Sequence, residues 1–125
     1  MEFIFGGAYQ GKLDYATDKY NTDNVLRCRA EDEDIDFSYD IISQLEEFVY
    51  GCVAYGRDPV LYLRDHEDEL KQVQAVLVKD ISQGLRPRDP VMREWRRQNS
   101  LVMRYLAETA DNVTRVFCGL TQKLK

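Results

Sequence analysis

The chain has 125 residues, 44% of them apolar and 31% charged, with a formal net charge of −5. Those values fit one globular domain over residues 1–125 with a single core. They argue against a membrane span, because no apolar run approaches the roughly 20 residues a bilayer requires. They also argue against a broad nucleic-acid-binding surface, although basic residues cluster between Arg86 and Arg104. Cys28, Cys52 and Cys118 are widely spaced with no CxxC pair, and the N-terminus shows no leader pattern. Both features predict a cytoplasmic protein with reduced thiols.

Phe3-Ile4-Phe5 is a short apolar run that leads into Gly6-Gly7-Ala8-Tyr9-Gln10-Gly11-Lys12-Leu13. This predicts a strand over Glu2 to Phe5, a glycine-rich loop over Gly6 to Gly11, and a helix from Lys12 to about Tyr20. Leu13, Ala16 and Tyr20 supply the helical spacing. A strand, a glycine loop and a helix N-terminus in that order can cradle a phosphate. The backbone N–H groups of Gly7 to Lys12 converge there, with the helix dipole behind them. The spacing Gly6-x4-Gly11-Lys12 fits the P-loop pattern, whose lysine reaches the β- and γ-phosphates. That pattern continues with a Ser or Thr whose hydroxyl binds magnesium, and here the residue is Leu13. The plainer reading of the glycines is a tight strand-to-helix turn without a ligand.

Asn21 to Asn24 reads as a turn and Val25 to Cys28 as a second strand. Glu31, Asp32, Glu33, Asp34 and Asp36 form an acidic run that lacks the glycine and ligand spacing of a calcium loop. It predicts a solvated loop, or the start of the next helix. Ile41, Ile42, Leu45, Phe48, Val49, Cys52 and Val53 repeat at three and four, which predicts a helix over 39–55 ended by Gly56. Asp58-Pro59 then reads as the N-cap and first residue of a helix to about Gln72, with Val60, Leu63, Leu70 and Val73 buried. His66, the only histidine, lies on that helix beside Asp65, Glu67 and Asp68, as a surface or boundary residue.

Ala75-Val76-Leu77-Val78 is the continuous apolar run of a strand buried on both faces of a parallel sheet. Lys79 and Asp80 follow at its carboxyl end, where open parallel sheets bind ligands. Asp80 has two readings: a magnesium ligand or base beside the glycine loop, or the cap of the turn that follows. Gly84, Pro87 and Pro90 break the loop over Ser82 to Pro90. A long helix runs from Pro90 to about Thr109, with Val91, Trp95, Val102, Tyr105 and Leu106 on one side. Arg93, Arg96, Arg97 and Arg104 lie on the other, either as a solvated face or reaching phosphates or an acidic partner surface. Val113 to Cys118 is the last strand, followed by Gly119 and the basic tail Lys123-Leu124-Lys125. The order predicts a small α/β domain with a mainly parallel sheet.

The C-terminal half carries a family resemblance. Val76-Leu77-Val78-Lys79-Asp80-Ile81-Ser82-Gln83-Gly84-Leu85-Arg86-Pro87 is similar to a segment in which a strand ends in Asn-Glu-Val-Gly-x-Gly-x-Val-Pro. The helix with Arg93, Trp95 and Arg96, the stretch Leu106 to Val113, and the ending Val116 to Lys125 resemble the same family. It is the adenosylcobinamide kinase / adenosylcobinamide-phosphate guanylyltransferase family of cobalamin biosynthesis, whose loop Thr-Gly-Gly-Ala-Arg-Ser-Gly-Lys-Ser the stretch Phe5 to Leu13 resembles. The resemblance implies a RecA-like P-loop fold, a cytoplasmic homo-oligomer, and ATP or GTP with Mg2+ as ligand. It implies phosphoryl transfer to a corrinoid side-chain hydroxyl, with Lys12 on phosphate and Asp80 as the metal-side acid. The family's second activity, guanylyl transfer through a histidine, lacks its context here, because His66 stands in no matching segment. Leu13 departs from the family's Ser, Asp80 from its Glu, Lys79 from its Asn, and Met103 from a helix Asn. A non-catalytic binding or scaffold protein that keeps the fold is the alternative.

Overall fold

Short apolar runs form the centre of the molecule, and amphipathic helices cover them. In the computed structural model, which describes residues 1–125, the elements are β1 (Glu2–Gly6), α1 (Lys12–Tyr20), β2 (Val25–Arg27), β3 (Ile41–Ser43), α2 (Leu45–Ala54), α3 (Pro59–Asp65), α4 (Glu67–Leu70), β4 (Ala75–Lys79), α5 (Pro90–Thr109), β5 (Asn112–Phe117) and β6 (Leu120–Lys123). All six strands join one sheet in the order β2-β3-β4-β1-β5-β6. Every pairing is parallel except β5 with β6.

Strand alternation sorts the core onto two faces. Phe3, Ile42, Val76, Val78 and Val113 pack with Phe48 of α2, Leu63 of α3, and Val102 and Leu106 of α5. On the other face Ile4, Ile41, Leu77 and Val116 pack with Ala16 of α1. The protein is thus an α/β fold with helices on both faces of a mostly parallel sheet. No helix is long and apolar enough to cross a membrane.

Several local expectations are corrected. Ile41 and Ile42 belong to β3, not to the helix predicted over 39–55. Gln44 takes a left-handed conformation (φ 58°) between β3 and α2, so a strand and a helix share what reads as one 3.6-residue period. The acidic run starts no helix: it lies in the crossover from β2 to β3, anchored by the buried side chains of Cys28 and Ile35. The helix expected from Pro59 to about Gln72 breaks at His66, whose ring stacks on Tyr62 and whose Nδ1 donates to the Tyr62 carbonyl (2.8 Å). Val91, expected on the buried side of the long helix, is exposed. Leu120–Lys123, which takes in only the first residue of the basic tail, forms β6, a strand not expected from the sequence. Cys118 (φ 50°) and Gly119 (φ 76°) make the two-residue turn, and the pair of positive φ angles matches the twist of a tight hairpin.

One buried carboxylate fastens α1 to the sheet. Glu2, 1% exposed, accepts hydrogen bonds from Thr114 Oγ1 (2.5 Å), Tyr20 Oη (2.6 Å), Tyr15 Oη (3.0 Å) and Lys19 Nζ (3.0 Å). Burial pushes its pKa up, but these four donors outweigh burial and hold it below the ordinary 4.5. The sign follows from that depression: the stabilisation is complete above the ordinary glutamate pKa and is lost as pH falls through the folded value. Glu2→Gln, which turns an amide N–H toward this set of donors, is expected to cost about 2–3 kcal/mol at neutral pH. Urea denaturation measures this, and the gap between variant and wild type narrows below pH 4.5.

Candidate functional site

The sheet's topology opens a crevice at one end. From β1 the chain leaves to α1 on one face, whereas from β4 it leaves to α5 on the other. These two strands are parallel neighbours, with Gly6 paired to Lys79. Their outgoing loops therefore diverge, which is where open α/β sheets bind ligands. A cleft of about 340 Å³ occupies this position. The loop residues Ala8 to Leu13 form one wall, and Ser43, Glu46 and Lys79 form the other.

The glycine loop is shaped by close approach and by its ties. A Cβ on Gly6 would sit 2.3 Å from the Val116 carbonyl oxygen, so β1 and β5 meet there only because the side chain is missing. Tyr9 at the loop tip has φ 57° and is fully exposed, and Gly11 has φ 94° at the N-cap of α1. The far side of the loop is held by the β5–β6 turn: Gly119 N–H donates to the Gln10 carbonyl (3.0 Å), and Cys118 N–H donates to Gln10 Oε1. None of the backbone N–H groups from Gly7 to Leu13 has an acceptor within the protein. The first helical bond of α1 is donated by Tyr15, to the Gly11 carbonyl (3.0 Å). Orphan donors of this kind at a helix N-terminus favour an anion.

Lys12 lies within this loop, its Nζ donating to the Gly7 carbonyl (2.7 Å). Burial pulls its pKa down; Glu46 opposes that shift and Lys79 adds to it. Glu46, 5% exposed, is a site residue that sequence reasoning missed. Its Oε1 accepts the Lys79 N–H (2.8 Å), and its own carbonyl accepts Trp95 Nε1 (2.8 Å). Trp95 thus helps to seat the first turn of α2, and its ring packs edge-on against Tyr50. Lys79 was placed at the strand end but not read as a cleft residue. Arg27 at the end of β2 also lines the cleft and was likewise not read as a site residue. The signal for both was available: each ends a parallel strand on the ligand side of the sheet.

Asp80 lies outside the lining of the cleft. Its N–H donates to the Gly6 carbonyl (2.8 Å), and its Oδ1 accepts both the N–H (2.9 Å) and the hydroxyl (2.6 Å) of Ser82. That is the turn-capping geometry of the plainer reading. Leu13 supplies no hydroxyl, and no group of three His, Cys, Asp or Glu side chains is arranged to hold a metal ion. Leu13 thus adds no ligand for magnesium, and one of the two Asp80 carboxylate oxygens is taken up by Ser82. His66, stacked between Tyr62 and Phe37, is not part of the cleft.

A scan against protein-family models finds no match for this chain, and a search of curated proteins finds none either.

Gly6→Ala is expected to force β1 and β5 apart at the root of the loop and to destabilise the fold by about 1–3 kcal/mol. Urea denaturation checks the magnitude, and an effect below a few tenths of a kcal/mol would contradict the close approach.

Proposed function

We infer that the chain binds a nucleoside polyphosphate, ATP or GTP, with its phosphates on the loop Gly7 to Leu13 and on Lys12. The observation that carries this reading is the run of backbone N–H groups without protein acceptors at the start of α1. Lys12 and Lys79 supply cationic charge beside it, and Gly11, with its positive φ, lets the chain turn into the helix. The parallel sheet with helices on both faces is compatible with a RecA-like P-loop domain. The resemblance to adenosylcobinamide kinase / guanylyltransferase gives the finer form of the proposal: a kinase-like phosphotransferase of cobalamin biosynthesis with a corrinoid hydroxyl as acceptor.

Within that proposal, binding is better supported than turnover. Leu13 lacks the magnesium-binding hydroxyl, and the Asp80 carboxylate is engaged by Ser82. No magnesium ligand is assigned to the chain, and no guanylyl transfer is assigned to His66. These same observations favour the second reading, a non-catalytic binding protein that keeps the fold.

Thermal denaturation with ATP, GTP or neither, each with magnesium or with EDTA, tests the reading. A ligand present at 100 times its Kd adds about 2.7 kcal/mol, which is roughly a 10 °C rise in Tm for a chain of this size. The shift is expected with EDTA as well as with magnesium, and Lys12→Ala is expected to remove most of it. No shift at millimolar nucleotide, or an undiminished shift in Lys12→Ala, contradicts the assignment. Phosphate release above the spontaneous rate separates a kinase from a binder.

A further inference from the structure

The loop between β4 and α5 is organised by arginines. Arg96 Nη1 donates to the Leu85 carbonyl (3.0 Å), and its Nη2 donates to the carbonyls of Gly84 (3.2 Å) and Ser82. Arg93 Nη1 donates to the carbonyls of Pro87 (3.3 Å) and Arg88. Two guanidinium groups thus fold the loop back along the first turns of α5. Between loop and helix lies a groove of about 790 Å³. Arg86, Arg93, Arg96 and Arg97 line it, with Glu94 as its only carboxylate. In a chain of net charge −5 this is a local reversal of sign.

The donors needed for a ligand remain available. Arg93 Nε and Nη2, Arg96 Nε and the whole Arg86 guanidinium make no hydrogen bond within the protein. Glu94 is already engaged by Arg97 Nε (3.2 Å) and Gln98 Nε2 (2.8 Å), so it neutralises one arginine and leaves the others. The α5 N-terminus is not the source of binding, because Asp89 caps the Val91 and Met92 N–H groups. Planar forks of N–H donors with few competing carboxylates match the oxygens of a phosphate better than those of a single carbonyl.

We propose that the groove between the loop Ser82–Arg88 and the N-terminal half of α5 is a second anion site, taking the phosphate of a small phosphomonoester or a pyrophosphate group. It is separate from the cleft on the glycine loop and does not rest on nucleotide binding there. Lys79 belongs to the cleft and Ser82 to the groove, so one stretch of chain after β4 connects the two sites.

Inorganic phosphate and pyrophosphate titrated into the full chain at constant ionic strength test this, read by the 15Nε–1Hε resonances of Arg93 and Arg96. Saturable shifts are expected, and they survive Lys12→Ala. Arg86→Gln with Arg97→Gln is expected to weaken the affinity at least about tenfold, because the first removes a free guanidinium donor and the second leaves Glu94 without the cation that neutralises it. Neither of those residues holds a loop carbonyl, so the double variant keeps the groove's shape even if Arg93→Gln or Arg96→Gln fails to fold. Shifts that sodium chloride reproduces at equal ionic strength contradict the proposal, as does an unchanged affinity in the double variant. Loss of the response in Lys12→Ala alone places the phosphate on the glycine loop and also overturns it.

Discussion

Parallel pairing of β1 with β4, which sets Gly6 opposite Lys79, is the constraint on which the cleft depends. Two neighbouring strands end together, and their chains leave toward opposite faces of the sheet. The N–H groups of the loop that leaves β1 are left without protein acceptors. β5 approaches β1 from the other side, near enough that only glycine fits at position 6. The β5–β6 turn fastens Gln10. The loop is therefore fixed at its root, its shoulder and its exit into α1, while its N–H groups stay unpaired. Unpaired backbone donors favour water or a ligand, and several at the start of one helix favour negative charge.

Charge around the cleft is arranged in opposition. Lys12 and Lys79 repel each other, and Glu46 attracts Lys12 while its carboxylate accepts the Lys79 N–H. Two lysines and one buried carboxylate thus line the cleft together. At the opposite end of β1, Glu2 clamps Tyr15, Lys19 and Tyr20 of α1 to the strand. One helix is thus anchored by its C-terminal half and left open at its N-terminus. That division lets the fold stay rigid behind a loop whose donors are free.

Much of this was legible in the residues, for identifiable reasons. The β1 run, the glycine loop, α1, the β4 run and α5 each announce themselves through local pattern, and the structure has them where the pattern puts them. β3 was hidden because Ile41 and Ile42 fall in phase with the apolar face of α2, and only the left-handed Gln44 separates them. β6 was hidden because its four residues are all exposed and carry no alternation to read. Glu46 looked like one more acid on the polar side of a predicted helix. Its burial comes from contacts with Lys79 and Trp95, distant in sequence, which no local pattern encodes. The arginines of α5 read either as a solvated face or as reaching phosphates or an acidic surface, whereas two of them bind the carbonyls of the preceding loop, a contact no local pattern encodes.

The central claim is that the backbone amides of Gly7 to Leu13 are anion donors. It is tested most directly by following their 1H–15N resonances while tripolyphosphate is added to the full chain. Saturable downfield proton shifts are expected on those amides, strongly weakened in Lys12→Ala, whereas shifts along the groove of Ser82–Arg88 persist in that variant. Unshifted loop amides at millimolar tripolyphosphate would contradict it, and the glycines would then serve only the turn from strand to helix.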